Sequence, residues 1–112
     1  MTRHDWIPGF PGAVTVCDLK GIILEMNEKA AEGFREYGGK ELVGRNLLDC
    51  HPEPARSKLL QLLKSGERNV YTTEKNGIRK LIYQTPWYRN NRRCGMVELA
   101  LEIPIHLPHF VR

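Results

Sequence analysis

The chain has 112 residues, of which 41% are hydrophobic and 27% are charged, and its formal net charge is +4 at pH 7. These values are typical of one folded globular domain; they exclude a disordered chain, and the length excludes two separate hydrophobic cores. No apolar run approaches the roughly 20 residues that span a bilayer, and the N-terminus lacks the apolar core of a signal peptide, so we expect a cytoplasmic protein.

The first predicted elements are a lead-in segment and a β-hairpin. Residues 1–12 contain two prolines and two glycines, which predict an irregular segment whose Trp6 and Phe10 pack against the domain. Residues 13–27 form two short runs rich in β-branched and aliphatic side chains, separated by a polar turn. Because the turn ends in Gly21, which adopts a positive φ easily, the pattern predicts two antiparallel strands.

Helices are predicted in the middle of the chain. Asn27 is an N-cap residue for a helix over Glu28–Tyr37, which two glycines end, and a short helical turn is predicted over Lys40–Val43. A longer helix is predicted over Pro54–Ser65, because proline suits its first turn and Gly66 suits its C-terminal cap. The buried stripe of this helix is expected to consist of Ala55, Leu59, Leu62 and Leu63.

The last third of the chain changes to an alternating pattern. Residues 69–75, 77–88 and 94–103 read as strands joined by polar turns at 76–77 and 89–93. In the last strand one face is predicted to form the core and the other to face solvent; the two sets are Val97, Leu99, Leu101 and Ile103 against Glu98, Ala100 and Glu102. The order of elements predicts an α+β domain in which helices cover one face of a five-stranded antiparallel sheet.

Three short motifs connect this order of elements to a known family. A strand ends in asparagine ahead of an alanine-containing helix at 26–34, a Glu-Leu-aliphatic-Gly signature occupies 41–46, and a proline precedes the last hairpin within 84–88. In this order and spacing the motifs resemble those of PAS domains, and the resemblance covers residues 13–103. It implies the PAS-like fold, with a five-stranded antiparallel sheet and a helical crossover on one face.

A further likeness is to PAS modules of bacterial proteins that also carry a hemerythrin-like domain. It rests on Gly44-Arg45 and on Cys50-His51-Pro52. The resemblance implies three segments, namely a lead-in over 1–12, a PAS-like domain over 13–103 and a C-terminal tail over 104–112. Pro104 opposes a helix directly after the last strand, so we interpret the tail as a docking segment.

The resemblance also implies a binding pocket, because many PAS domains enclose one between the sheet and the helices, and in some members it holds haem, flavin or a metabolite. Flavin-based light sensors of this fold need a cysteine directly after a Gly-Arg-Asn-like motif. Here Gly44-Arg45-Asn46 is followed by Leu47, so no flavin photoadduct is expected, and the identity of any cofactor stays open. The residues expected to line the pocket are Phe34, Leu47, Cys50, His51, Leu59, Leu62, Tyr83, Trp87 and Leu99.

His51 leads to one alternative hypothesis, a haem or metal sensor. On a regular helix it would share a face with Leu59 and Leu62, and haem-binding members of the fold often take an axial histidine from this helix. His51 precedes a proline, however, which disfavours helical geometry. A histidine that packs or caps at the helix entry is therefore the structural alternative.

Cys50 leads to a second alternative hypothesis, a thiol-redox protein. The chain has three cysteines and no CxxC pair, which indicates reduced thiols rather than a disulfide framework. A free cysteine is usually a small buried hydrophobe, and this is the structural alternative for Cys50.

The remaining motifs favour no enzyme and no nucleic-acid partner. His106 and His109 have a spacing that can bind metal on a helix, but neighbouring prolines oppose a helix, so a surface tail is expected. Arg89, Arg92 and Arg93 are expected to form a solvated hairpin tip. No glycine-rich phosphate loop, nucleophile elbow or HExxH motif occurs. The resulting hypothesis is a non-catalytic sensory module in signal transduction that binds a small ligand, a protein partner or both, and forms a homodimer.

Overall fold

The computed structural model describes residues 6–112 and shows five strands in one antiparallel sheet. The strands are β1 (Ala13–Asp18), β2 (Ile23–Met26), β3 (Asn69–Lys75), β4 (Ile78–Arg89) and β5 (Arg92–Ile103), and their order across the sheet is β2-β1-β5-β4-β3. The helices are α1 (Trp6–Gly9), α2 (Glu28–Gly33) and α3 (Ala55–Ser65), with 3₁₀ turns at Arg35–Tyr37, Gly39–Leu42 and Leu47–Cys50. The predicted α+β fold with a helical crossover is confirmed.

The hairpin turns form where the sequence supplies residues that tolerate a positive φ. Gly21 has a φ of 91°, and the turn between β3 and β4 is made by Asn76 and Gly77 with φ values of 54° and 78°. Asn90 and Asn91 close the last hairpin with φ values of 51° and 64°. Two consecutive residues of positive φ match the twist of antiparallel strands, so these short turns hold β3, β4 and β5 in register.

The helical crossover differs from the prediction at its ends. The first predicted helix stops at Gly33 rather than Tyr37, because Phe34 leaves the helical region with a φ of −109° and a 3₁₀ turn follows. The Leu47–Cys50 turn was not predicted; it forms because the side chain of Asn46 accepts a hydrogen bond from the backbone N–H of Leu48. Short 3₁₀ segments carry little propensity signal, so sequence patterns miss them.

At the N-terminus the structure differs from the predicted irregular lead-in. Residues Trp6–Gly9 form one helical turn, and the first five residues of the lead-in lie outside the described residues. The rings of Trp6 and Phe10 meet edge to face with centroids 5.8 Å apart, but Trp6 remains 60% exposed and is not packed down on the domain as predicted.

None of the helices within residues 6–112 combines the length and the apolar composition that a membrane span requires.

The main core lies between the helices and one face of the sheet, which we call the inner face. Leu59, Leu62 and Leu63 of α3 are buried in it as predicted, whereas Ala55 is exposed. The sheet contributes Cys17 and Met96, neighbours in register on β1 and β5. The remaining buried core residues are Ile23, Met26, Ala30, Leu42, Leu47, Leu48 and Cys50.

The prediction of which face of β5 lies in the core was wrong. The helices cover the face that carries Met96, Glu98 and Ala100, while Val97, Leu99, Leu101 and Ile103 are only partly buried on the opposite face, the outer face. The N-terminal segment covers part of the outer face, since Phe10 and Leu101 pack together at Gly12. Alternation separates the two faces of a strand, but it does not say which of them the helices will cover.

Asn27 joins the N-terminal segment, β1 and α2. Its Oδ1 accepts hydrogen bonds from the backbone N–H groups of Val14 and Ala30, both at 3.0 Å, and the second of these caps α2 as predicted. Its Nδ2 donates to three carbonyl oxygens, of Ile7, Phe10 and Gly12. Asn27 is only 3% exposed, so its side chain satisfies several backbone groups in a region with little access to water.

Candidate functional site

A cleft of about 270 Å³ lies between α2 and the inner face of the sheet. Its floor is formed by Ala13, Ile82 and Ala100, which are neighbours in register on β1, β4 and β5. Its roof is the last turn of α2 with Ala30 and Gly33, continued by Phe34. Small side chains on both surfaces leave the space open, so the cleft follows directly from alanine and glycine at these positions.

A row of polar side chains crosses the inner face at one end of this floor. Thr15, Glu98, Gln84 and Asn69 are paired in register across β1, β5, β4 and β3. Asn69 Nδ2 donates to Gln84 Oε1 at 2.8 Å, and Gln84 Nε2 donates to Glu98 Oε2 at 3.2 Å. The amide of Gln84 is thereby oriented with its NH₂ group towards Glu98, which suits a carboxylate that accepts hydrogen bonds.

Glu98 lines the cleft with one carboxyl oxygen left without a partner. Oε1 is buried and has no hydrogen-bond partner within residues 6–112. Burial raises the pKa of the Glu98 carboxyl, and nearby His51 and the hydrogen bond from Gln84 oppose that rise. A buried unpartnered carboxyl oxygen is costly, so Glu98 is the cleft residue that most needs a further hydrogen-bond donor.

The other end of the cleft carries positive charge. Lys29 of α2 and Lys80 of β4 both line it, and both residues are exposed to solvent. Neither makes an ion pair with another residue in the part of the chain that the structure describes. The cleft therefore has a buried acid at one end, an apolar floor and two lysines at the other end.

The Cys50-His51 pair closes the 3₁₀ turn that precedes α3. The carbonyl oxygen of Leu47 accepts hydrogen bonds from His51 Nδ1 at 2.9 Å and from Cys50 Sγ at 3.2 Å. The His51 ring also packs against Phe34, with ring centroids 5.9 Å apart. These contacts agree with the structural alternative for both residues, in which they complete the entry to α3.

The residues predicted to line a pocket fall into two groups. Leu47, Cys50, Leu59 and Leu62 lie in the core, Phe34 packs against it, and His51 contacts Phe34; of these six, only Phe34 lines the cleft. Tyr83, Trp87 and Leu99 lie on the outer face, away from the cleft. Trp87 Nε1 instead donates to the carbonyl oxygen of Cys17 at 3.0 Å.

Sequence reasoning missed Glu98, Lys29 and Lys80. Glu98 was assigned to the solvent face because acidic side chains are rarely buried. The strands did contain a usable signal. Gln84 and Glu98 are both polar and lie at equal distances on either side of the predicted hairpin turn, so they are expected to pair across the two strands. Cross-strand polar pairs at such positions indicate a shared face, but not its burial.

Haem binding through His51 stays a prediction. The cleft volume of about 270 Å³ corresponds to about nine water molecules at about 30 Å³ each. Phe34, which lines the cleft, packs against the His51 ring. In residues 6–112 no group of three or more His, Cys, Asp or Glu side chains lies close enough together to hold a metal ion.

Cys50 and Cys17 are expected to resist alkylation in the folded protein, whereas Cys94 is expected to react. Burial raises the pKa of the Cys50 thiol and raises that of Cys17 to about 11, so the reactive thiolate is disfavoured at both positions. Iodoacetamide labelling under native conditions, followed by peptide mass spectrometry, measures the three rates. Labelling of Cys50 as fast as Cys94 would contradict this reading and revive the thiol-redox hypothesis.

The variant Glu98→Gln is expected to be more stable than the wild type by on the order of 1 kcal/mol near neutral pH. The folded pKa of Glu98 is raised above its ordinary value of 4.5, so the folded protein binds this proton more tightly than the unfolded chain. Wild-type stability should therefore fall as pH rises from about 4.5 through the raised pKa. The gain in the variant should disappear towards acidic pH.

Urea unfolding of both proteins across this pH range measures the difference. Glu102→Gln is the matched control, because Glu102 lies on the same face of β5 but is exposed. A stability gain in Glu98→Gln that does not depend on pH would show that the burial of charge is not its cause.

No protein-family model matches the chain, and no curated protein matches it. Several solved structures, however, are similar to this chain. The PAS domain of BvgS from Bordetella pertussis is 19% identical, with a TM-score of 0.64, over 88% of this chain and 82% of that one. The PAS domain of an HTR-like protein from Haloarcula marismortui is 15% identical, with a TM-score of 0.58, over 87% and 85%.

A third similar structure is that of VqmA bound to DPO. It is 15% identical to this chain, with a TM-score of 0.62, over 88% of this chain and 56% of VqmA. The likeness to hemerythrin-associated modules stays a prediction. The strand order, the helical crossover and these structural similarities agree, and the chain has the PAS fold.

Proposed function

We propose that this chain is a non-catalytic sensory module that binds a small ligand in the inner cleft and passes its occupancy to a partner. The observation that carries the proposal is that the cleft is lined by Glu98, whose buried Oε1 has no hydrogen-bond partner among residues 6–112. VqmA, which has a similar fold, is described as bound to DPO. We take the bound molecule of VqmA as support for a small ligand in this chain, since the two share a fold.

The roof of the cleft provides a way to transmit ligand binding. α2 has six residues and is held at its start by Asn27, which also binds the N-terminal segment through Ile7, Phe10 and Gly12. A ligand between α2 and the sheet that favours one position of the helix shifts the equilibrium by its difference in affinity for the two positions. The N-terminal segment, which packs on the outer face, would respond with α2.

Native mass spectrometry of the purified protein tests ligand binding. We expect a co-purifying small molecule in the wild type that is lost in Ala100→Phe, since a phenyl ring on the cleft floor fills the space. Leu24→Phe is the control, because Leu24 is exposed on the edge strand β2. A bound molecule that persists in Ala100→Phe, or a protein that no compound of a metabolite library stabilises against heat, would contradict the proposal.

The partner we propose is a second copy of this chain on the outer face. Val97, Leu99 and Leu101 form a partly buried apolar row there. Across Tyr83 of β4, the same face carries Val70 of β3, which is 49% exposed. When two sheets pack face to face, apolar rows of this kind become buried between them. VqmA of Vibrio cholerae, a structural neighbour, is described as a dimer.

Light scattering over a concentration series tests the dimer. We expect Leu99→Glu to give a monomer, because it places a charge at the centre of the apolar row. Leu60→Glu is the control, since Leu60 is an exposed apolar residue on α3, on the opposite side of the sheet. A monomeric wild type at high concentration would contradict this part of the proposal and leave ligand binding unaffected.

A further inference from the structure

The chemistry of the cleft restricts the ligand more narrowly than its size does. The end at Glu98 offers a buried carboxyl oxygen without a partner, and Gln84, its neighbour, already donates to the other oxygen. An anion placed there would face the negative charge of the Glu98 carboxylate, and a neutral acceptor would leave the unpartnered oxygen without a donor. A group that brings its own N–H donors and a positive charge satisfies the site, and a primary ammonium is the smallest such group.

The opposite end of the cleft carries two lysines, and the exposed Glu102 is the in-register neighbour of one of them, Lys80. Lys29 and Lys80 both line it and have no ion-pair partner among residues 6–112. A ligand with an ammonium group alone would leave these lysines unpaired and would enter past two like charges. A carboxylate at the outer end of the ligand pairs with them and removes that repulsion.

The spacing of the two ends sets the separation of the ligand charges. Gln84, which is paired in register with Glu98, and Lys80 lie four residues apart on β4, which is about 13 Å at about 3.3 Å per residue. Between them lies the apolar row of Ala13, Ala100 and Ile82. The side chain of Lys80 spans part of this distance of about 13 Å, and a short aliphatic chain of the ligand spans the rest.

We propose that the ligand class of this cleft is an ω-amino acid, with its ammonium on Glu98, its aliphatic chain on the apolar floor and its carboxylate at Lys29 and Lys80. This inference rests on the proposed function, because it names the ligand of the same cleft. An α-amino acid does not meet the spacing, since its two charges are adjacent. A purely apolar ligand leaves Glu98 Oε1 unpartnered.

Isothermal titration calorimetry with four matched compounds tests the ligand class. δ-Aminovalerate is expected to bind saturably, and its isomer norvaline, with adjacent charges, is expected to bind at least roughly tenfold more weakly. Valerate lacks the ammonium and pentylamine lacks the carboxylate, so each should also lose at least roughly tenfold in affinity. Equal binding of any of these three would overturn the assignment of the corresponding end or of the spacing.

Variants test the same contacts from the protein side. Glu98→Gln and the double variant Lys29→Met, Lys80→Met should each weaken δ-aminovalerate binding by at least roughly tenfold. Glu67→Gln, at an exposed position that does not line the cleft, should remain within roughly twofold of the wild type. Amide chemical shifts of the free variants verify that each is folded. Unchanged affinity in folded Glu98→Gln would overturn the proposal.

The outcomes separate this inference from the proposed function. If δ-aminovalerate does not bind but another molecule co-purifies and is lost in Ala100→Phe, the ω-amino acid assignment is overturned and the cleft remains a ligand site. If nothing binds in either experiment, both the ligand class and the proposed function are overturned.

Discussion

Replacing Asn27 with alanine is expected to lower the free energy of unfolding by roughly 3–5 kcal/mol, because each buried hydrogen-bonding group left unsatisfied costs about 1–3 kcal/mol. The substitution removes the acceptor for the N–H groups of Val14 and Ala30 and the donor for three backbone carbonyls. It removes in one step the side-chain bonds that link the N-terminal segment, β1 and α2, and leaves the backbone bond from residue 27 to the Val14 carbonyl between β1 and the start of α2. Chemical denaturation measures the change.

Asn46→Ala is the matched control for this prediction. Asn46 also caps a helical turn, but it makes two hydrogen bonds, to Leu48 N–H and to the carbonyl oxygen of Lys20, and it is only partly buried. We expect its loss to cost about 1 kcal/mol, the usual value for a helix cap. Equal effects at the two positions would show that the number of buried bonds at Asn27 does not determine its contribution.

Gly95→Ala is expected to destabilise the fold by about 2–4 kcal/mol, because overpacking costs about 1–3 kcal/mol and the φ of 155° at Gly95 adds backbone strain. A Cβ at Gly95 would collide with the carbonyl oxygen of Cys17 and lie 2.7 Å from the Cα of Asp18. These are backbone atoms of the neighbouring central strand, so the clash cannot be relieved by rotating a side chain. Relief requires β1 and β5 to separate, which also breaks the bond from Trp87 to Cys17.

Gly77→Ala is the control for the conformational part of this effect. Gly77 has a φ of 78° and nothing within 4 Å of an added Cβ, so its substitution carries only the strain of a left-handed residue, about 1–2 kcal/mol. Thermal unfolding of both variants gives the comparison. A loss in Gly95→Ala no greater than that in Gly77→Ala would mean that the close approach of β1 and β5 relaxes freely.

Much of the fold was predictable because its determinants are local. Asn27 indicated the start of α2, Gly66 indicated the end of α3, and Asn76-Gly77 indicated a hairpin, since each depends on the conformational preference of one or two residues. The covered face of β5 was not predictable in this way. It depends on how the N-terminal segment and the helices divide the two faces of the sheet, which is a property of the whole chain.

The candidate site was predicted only in part, for a related reason. The Cys50-His51 pair attracted attention because of its chemistry, and the structure uses both side chains to satisfy the carbonyl oxygen of Leu47. Glu98 acquires its role from Thr15 and Gln84, which lie far from it in sequence and meet it only in the sheet. A charged residue in an alternating strand gives no local sign that it will be desolvated.

The short segments that build the crossover have a consequence for local unfolding. α2 has six residues and α3 has eleven, and the three turns between them have three or four each, all below the length at which an isolated helix is stable in water. The paired strands β4 and β5, each of twelve residues, form a long antiparallel ladder whose register shifts once, between Trp87 and Tyr88. Amide hydrogens of the crossover should therefore exchange with deuterium well before those of β4 and β5. A bound ligand should slow amide exchange first in α2. Ligand binding would then be visible as slower exchange in the crossover, while the exchange rates of β4 and β5 stay unchanged.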